Sequence, residues 1–203
     1  MPFSFDRCGF PLVRLPRLRL EAGLLPVTKV QLERFLAEPA GFGDGWYDRV
    51  LHLHSRCSYR AFAAAERERL FLGGILPEEA VAYASWLSEG FDLPTVEEWR
   101  QLWLAMAGEQ PLGAEEVAAW RPGPARAIVE QLLAQLPARS LLDLSLMRGG
   151  LVEWVREGAG WVGLGAPRPE FKAHLWDPLQ DVVRPVQAGE RVGYFGFRLV
   201  RRM

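Results

Sequence analysis

The sequence has few of the residues that build metal centres and disulfide frameworks. Only two of its 203 residues are cysteines, Cys8 and Cys57, and their wide separation matches no zinc-binding spacing and no multi-disulfide framework. No stretch approaches the roughly 18 apolar residues of a membrane span, and the N-terminus lacks the apolar run of a signal peptide. We therefore expect a reduced, cytoplasmic protein that does not contact a membrane.

The charge is nearly balanced. A formal net charge of −1 gives no reason to expect nucleic acid as a partner. The hydrophobic fraction of 49% and the charged fraction of 24% are typical of a globular chain, and eight tryptophans indicate an aromatic core or an aromatic binding face. A chain of this length fits one domain, so residues 1–203 are predicted to form a single unit.

Three helices are predicted from local start signals followed by apolar residues at helical spacing. Thr28 with Gln31, and Thr95 with Glu98, form the capping-box pattern, and Pro77 is typical of a first helical turn. The predicted helices cover 28–38, 77–89 and 95–107.

Other segments are predicted from alternation and from turn residues. Residues 12–20 alternate between leucine and arginine and indicate a half-exposed strand that Pro16 interrupts, whereas residues 39–48 are typical of a loop. Residues 109–140 are predicted to hold two short helices, around 115–120 and 125–136. The last third is rich in glycine and proline, which favours short strands and long loops.

Four separated segments stand in the order of one known family. They are Pro26–Gln31, Leu93–Trp99, Gly149–Val155 and Gly196–Val200. Together they resemble the formylglycine-generating enzyme (sulfatase-modifying factor) family, whose landmarks read roughly P-V-T-N-x-Q, L-P-T-E-x-E-W, G-N-V-x-E-W-V and G-F-R. The resemblance implies a C-type-lectin-like α+β fold with short, twisted, mostly antiparallel strands and two or three flanking helices, in which residues 109–140 are a helical insertion. It implies structural roles for Thr28, Thr95, Glu98, Trp99, Trp154, Gly196 and Arg198.

The chemistry of the family is expected to be absent. The enzyme that names the family oxidises a substrate cysteine with a copper ion, which a cysteine pair holds shortly before the terminal G-F-R. The stretch from Gly158 to Gly196 contains no cysteine. We therefore expect no catalysis of this kind and no copper.

Calcium is a candidate cofactor by resemblance alone. Many family members bind it through the G-N-V-x-E-W segment, whose oxygen ligands suit a hard cation. Here Gly150 replaces the asparagine while Glu153 remains. The alternative is that Glu153 pairs with an arginine and Trp154 fills the core.

The C-terminal loop between Gly158 and Gly193 has the composition of a recognition surface, because it mixes aromatic, arginine and proline residues. The candidate binding residues are Trp161, Arg168, Phe171, His174, Trp176 and Asp177. The alternative is that Trp161 and Trp176 belong to the core. These residues predict a non-catalytic domain that binds a protein or a small ligand through its C-terminal loop face.

A metal-dependent enzyme is the second hypothesis. His52 and His54 would project to one side of a strand, with Cys57 close by, and could form a metal site with His174. Such a site would support an oxidoreductase or a hydrolase. The competing interpretation is that these histidines lie on a solvated surface.

Overall fold

A computed structural model of the chain describes residues 3–38, 42–51, 70–71, 73–88, 90–147, 151–165, 177, 179–185, 187 and 189–203. Within these residues the strands are Phe3–Phe5 (β1), Pro11–Leu15 (β2), Leu20–Gly23 (β3), Phe91–Asp92 (β4), Val152–Glu157 (β5), Gly160–Leu164 (β6), Phe195–Phe197 (β7) and Val200–Arg202 (β8). The helices are Lys29–Leu36 (α1), Asp44–Leu51 (α2), Pro77–Leu87 (α3), Val96–Ala107 (α4), Ala114–Ala118 (α5), Pro124–Gln135 (α6) and Leu141–Leu144 (α7). The predicted α+β class is confirmed.

The described strands form two sheets. The larger has the order β1-β2-β3-β8-β4 and is antiparallel throughout. The smaller has the order β6-β5-β7, in which β5 is antiparallel to β6 and parallel to β7. Strand β8 lies between β3 and β4, so the C-terminal strand is held in the interior of the larger sheet.

A hydrophobic cluster covers each face of the two sheets. Neighbouring residues of a strand point to opposite sides, so they pack in different clusters. In β2, Leu12 packs in one hydrophobic cluster and Val13 in the other. In β5, Trp154 and Val155 divide in the same way. One cluster contains the inner face of α4, and the other contains the inner face of α3.

The predicted helices form where their start signals lie. Helices α1, α3 and α4 match the predicted ranges 28–38, 77–89 and 95–107 to within two residues at each end. The predicted insertion contains α5 and α6. Among the described residues, no helix combines the length and the apolarity that crossing a membrane requires.

The predicted loop over 39–48 is wrong in its second half, because α2 begins at Asp44. Trp46 and Val50 are buried, and the Trp46 indole donates a hydrogen bond to Glu79 in α3. Tertiary packing therefore outweighs the low helix propensity of a glycine-rich segment. The described chain also has more helices than the two or three expected around the sheet.

The single strand predicted over 12–20 is a hairpin in the structure. A 3₁₀ turn at Pro16–Leu18 reverses the chain, Arg19 takes a left-handed conformation with φ 53°, and Leu15 pairs with Leu20. Proline fixes its own φ and carries no amide donor, so the turn starts where the ladder can no longer continue.

Candidate functional site

The side chain of Arg198 is fully buried and makes a complete set of hydrogen bonds. Its Nε and Nη2 donate to Oε2 and Oε1 of Glu153 at 3.0 and 2.8 Å. Its remaining donors reach backbone oxygens of Gly23, Leu24 and Ser145 at 2.6, 2.5 and 2.7 Å. Both side chains of the ion pair have 0% exposure. A buried guanidinium with all five donors used is held in one geometry.

Trp99 completes this arrangement. Its indole Nε1 donates to Oε2 of Glu153 at 2.9 Å, and the ring is fully buried. We call Trp99, Glu153 and Arg198 the buried node. It connects α4, β5 and the segment between β7 and β8, and it brings together three of the four segments that carry the family resemblance. A node without solvent access holds the fold together and cannot reach a ligand.

The calcium predicted at Glu153 would have to compete with these hydrogen bonds. The two carboxylate oxygens accept three hydrogen bonds from Arg198 and Trp99. The guanidinium therefore already neutralises the charge that a cation would use. The arrangement agrees with the alternative in which Glu153 pairs with an arginine and Trp154 fills the core. Calcium binding itself stays a prediction.

Both predicted capping boxes are present. Thr28 and Gln31 exchange hydrogen bonds at the start of α1, with distances of 2.9 and 3.4 Å. Thr95 and Glu98 do the same at the start of α4, at 2.8 and 3.1 Å. Glu98 also pairs with Arg202 of β8 at 2.8 Å. Burial acts to raise the pKa of Glu98, but the hydrogen bonds from Arg202 and Thr95 lower it below its usual value.

Trp154 and Gly196 pack in the interior beside the node. Trp154 is buried, its indole donates to the carbonyl of Ile75 at 2.6 Å, and its ring lies 4.1 Å from that of Phe195. A Cβ at Gly196 would lie 2.5 Å from Cδ1 of Leu151. The buried Leu151 side chain occupies the space that a Cβ would need and would have to shift, so glycine is favoured at this position.

A second ionic cluster was not predicted from the sequence. Arg191 pairs with both oxygens of Glu79, and the Trp46 indole donates to the same carboxylate at 2.5 Å. Burial acts to raise the pKa of Glu79, but the hydrogen bonds from Arg191, the Leu76 amide and Trp46 lower it below its usual value. An acidic residue in the first turn of a helix, such as Glu79 in α3, can be recognised from the local sequence. Its partner Arg191 lies 112 positions away, where no pattern indicates the pairing.

The described part of the C-terminal loop face carries partly and fully exposed groups. Trp161 is half-buried in β6, and the Arg156 guanidinium lies 5.0 Å from its ring centre. Arg156 is held in turn by both oxygens of Asp92, at 3.0 Å each. Asp177 is exposed, and its Oδ1 accepts from the Leu179 amide at 2.9 Å. Trp161 therefore lies between the two positions considered for it, neither fully in the core nor fully in solvent.

The remaining predicted site residues lie outside the described residues. They are Arg168, Phe171, His174 and Trp176 of the binding face, and His52, His54 and Cys57 of the metal site. Within the described parts of the chain, no group of three or more His, Cys, Asp or Glu side chains is arranged to hold a metal ion. Cys8 is buried, and burial raises the pKa of its thiol.

No family profile and no curated protein sequence matches the chain.

Proposed function

We propose that this chain is a non-catalytic binding domain of the formylglycine-generating enzyme type, with a C-type-lectin-like fold, which recognises a protein or a small ligand through its C-terminal loop face. That face comprises residues 161–185. The observation that carries the proposal is the buried node. Its residues, which lie in the segments that carry the resemblance, are buried and bond to one another, so a ligand has to be recognised by the loops outside the node.

The arrangement of the chain ends supports the lectin-like part of the proposal. Strand β8 pairs with β3, so the N-terminal hairpin and the C-terminal strand belong to one sheet. Helices α3 and α4 pack against this base, each on a different hydrophobic cluster. The described part of the segment between β6 and β7 is anchored on this base, because Leu179, Val182 and Val183 pack against the two clusters. Recognition loops are commonly positioned by a rigid scaffold in this way.

The thiol inventory supports the non-catalytic part. Copper-dependent oxidation of a cysteine needs soft sulfur ligands, and no cysteine lies between Gly158 and Gly196. Cys8 is buried in the N-terminal hairpin region, and its raised pKa opposes formation of the thiolate.

The described part of the face is held in place before any ligand arrives. Gly163 and Val183 exchange backbone hydrogen bonds at 2.7 and 2.8 Å, which fixes the later part of the loop against β6. Arg184 pairs with Glu157 at 2.8 Å, and Arg156 lies against Trp161. Restraint of this kind lowers the entropy lost on binding.

The test uses the full chain, immobilised, to capture ligands from extracts of its source cells, with quantification by mass spectrometry. Each captured species is then purified and titrated against the wild-type chain, Trp161→Ala, Asp177→Ala and the control Arg139→Ala, which changes an exposed arginine after α6. We expect a specific ligand to lose at least about tenfold in affinity with Trp161→Ala and to be unaffected by the control.

Two results would overturn the proposal. One is a ligand whose affinity is the same for all four chains while their unfolding midpoints also agree. The other is a stoichiometric transition metal in protein purified without a histidine tag, since that would favour the enzyme built on His52, His54 and His174.

A further inference from the structure

A second candidate site lies far from the C-terminal loop face in sequence. A cleft of about 480 Å³ opens between the turn after β1, the last turn of α1 and the loop that leads into α6. Its walls come from Phe5–Gly9, Arg34 and Trp120–Arg126. This volume falls within the range of small-molecule pockets. No described residue of the C-terminal loop face lines it.

The cleft is strongly basic although the whole chain is not. Among the described residues, four arginines line it, namely Arg7, Arg34, Arg121 and Arg126, against a single carboxylate, Asp6. Four cations and one anion give the walls a formal charge of +3, whereas the whole chain carries −1. A concave surface with one sign of charge raises the local concentration of the opposite ion.

The one carboxylate in the cleft already has partners inside the protein. Asp6 is buried, its Oδ1 accepts from the Phe10 amide at 2.8 Å, and its Oδ2 accepts from Nε2 of Gln31 at 3.2 Å. Both of its oxygens therefore accept hydrogen bonds within the protein, and the arginines determine the charge at the mouth of the cleft.

Three of the arginines make no ion pair with a carboxylate within the part of the chain that the structure describes, although Arg34 lies near enough to Asp6 to act on its charge. Arg34 donates to the carbonyl of Cys8 at 2.6 Å, and Arg7 lies over the Trp86 ring at 3.8 Å. These contacts position each guanidinium without neutralising it. Arg121 is exposed and makes no hydrogen bond or ion pair to any described residue, whereas Arg126 pairs with Glu130 at 2.7 Å.

Backbone donors add to the same wall. Helix α6 begins at Pro124, its N-cap is Gly123, and no side chain caps it. The first amides of a helix lack partners within the helix, and its N-terminus carries a partial positive charge. Residues 123–126 of this turn line the cleft, so their charge acts together with that of the arginines.

The cleft also has a planar apolar wall. Phe5 is 43% exposed, which is unusual for a phenylalanine, and its ring meets that of Trp120 edge-on at 5.5 Å. Trp120 is itself half-buried. Exposed aromatic rings beside cations suit a ligand that combines a flat ring with a charged group.

We propose that this arginine cleft binds a phosphorylated small molecule with a planar ring, of about the size of a nucleoside diphosphate. The guanidinium groups come from three separate segments, so they can surround a multiply charged oxyanion, and arginine matches phosphate geometry with paired donors. A ligand with only one carboxylate would leave most of the arginine charges without a partner. The site does not depend on the C-terminal loop face, so either can fail without the other.

The test is calorimetric titration of the full chain with ADP, inorganic pyrophosphate, adenosine and citrate at low and high salt. We expect ADP to bind most tightly, pyrophosphate more weakly and adenosine not measurably, with affinity falling as salt rises. Arg121→Ala and Arg7→Ala should each weaken ADP binding about tenfold or more, since each removes charge-assisted hydrogen bonds. Phe5→Ala should weaken ADP binding and leave pyrophosphate binding unchanged.

The exposed control Arg139→Ala should bind ADP as the wild type does, and thermal unfolding of each variant establishes that it is folded. The proposal is overturned if ADP does not bind, or if its affinity is the same in Arg121→Ala, Arg7→Ala and the wild type. Citrate binding as tightly as ADP would assign the cleft to carboxylates instead.

Discussion

Arg198 is the residue on which most of the fold converges. Its guanidinium bonds to β5, to the last residue of β3 and the residue that follows it, and to the residue after α7. The sequence predicted a structural role for Arg198, because glycine and arginine recur at this place in the family pattern, and it left open an arginine partner for Glu153. It did not predict that the two meet each other, since a pairing across 45 positions leaves no local pattern.

Removing one partner of the buried pair should be costly. Arg198→Met leaves the Glu153 carboxylate charged and unpaired in the interior, so we expect a loss of about 3 to 5 kcal/mol in the free energy of unfolding. The matched control is Arg184→Met, which breaks an Arg–Glu pair with exposures of 62% and 42% and should cost less than about 1 kcal/mol. Denaturant titration measures both. Equal losses would contradict the role given to the node.

The Glu79–Arg191 pair should make stability depend on pH in the acid range. Burial acts to raise the folded pKa of Glu79, but the hydrogen bonds from Arg191, the Leu76 amide and Trp46 hold it below its usual value, so the unfolded chain takes up the proton first as pH falls. Stability from this pair is complete above that value and is lost as the pH falls through the lowered folded pKa. Arg191→Met removes the strongest lowering partner and should flatten this part of the profile.

The readout is the unfolding free energy of wild type and Arg191→Met at several pH values between about 6 and about 3. Other carboxylates with lowered pKa, such as Glu21 and Glu98, are present in both chains and cancel in the difference. Arg184→Met serves again as control and should run parallel to the wild type. Parallel profiles for Arg191→Met would argue against the pair as the source.

Among the elements, those with local start signals were predictable and those that depend on distant partners were not. Helices α1 and α4 begin at capping boxes that can be read within four residues. Helix α2 begins in a glycine-rich stretch and is held by Trp46 against Glu79, 33 positions further on. The hairpin of β2 and β3 was predictable in part. Pro16 indicated that the strand is interrupted, but not that the chain reverses direction there.

Helix α4 allows its cap and its core residue to be compared. Thr95→Ala removes the side chain that accepts from the Glu98 amide and should cost about 1 kcal/mol. Trp99→Ala removes a fully buried ring and should cost about 3 to 5 kcal/mol. Gln101→Ala on the exposed side of the helix should cost only a few tenths. Denaturant titration measures the three losses. Equal or negligible losses for Thr95→Ala and Trp99→Ala would mean that the buried Trp99 ring contributes little to stability.

For the whole molecule, the α+β class was predictable from the order of the motifs, whereas the proposed binding surfaces were only partly so. The aromatic and arginine content of the C-terminal loop indicated one candidate face from sequence. The arginine cleft combines residues from three segments, two near the N-terminus and one within the insertion, and none of these segments is basic enough alone to indicate it. Surfaces assembled from distant segments become visible only once the chain is folded.

The two hydrophobic clusters should unfold together, because the same strands and the same node support both. Adjacent residues of β2 and β5 pack in opposite clusters, and Trp99 of the first cluster donates to Glu153, whose neighbours Val152 and Trp154 belong to the second. Loss of either cluster would expose the Glu153–Arg198 pair, so neither half is expected to persist alone. We therefore expect a single transition in which tryptophan fluorescence and far-ultraviolet circular dichroism coincide, and in which calorimetric and van't Hoff enthalpies agree. Arg198→Met should lower the midpoint of both signals equally. Two separated transitions, or a shift of one signal only, would mean that the clusters are independent units and that the node does not couple them.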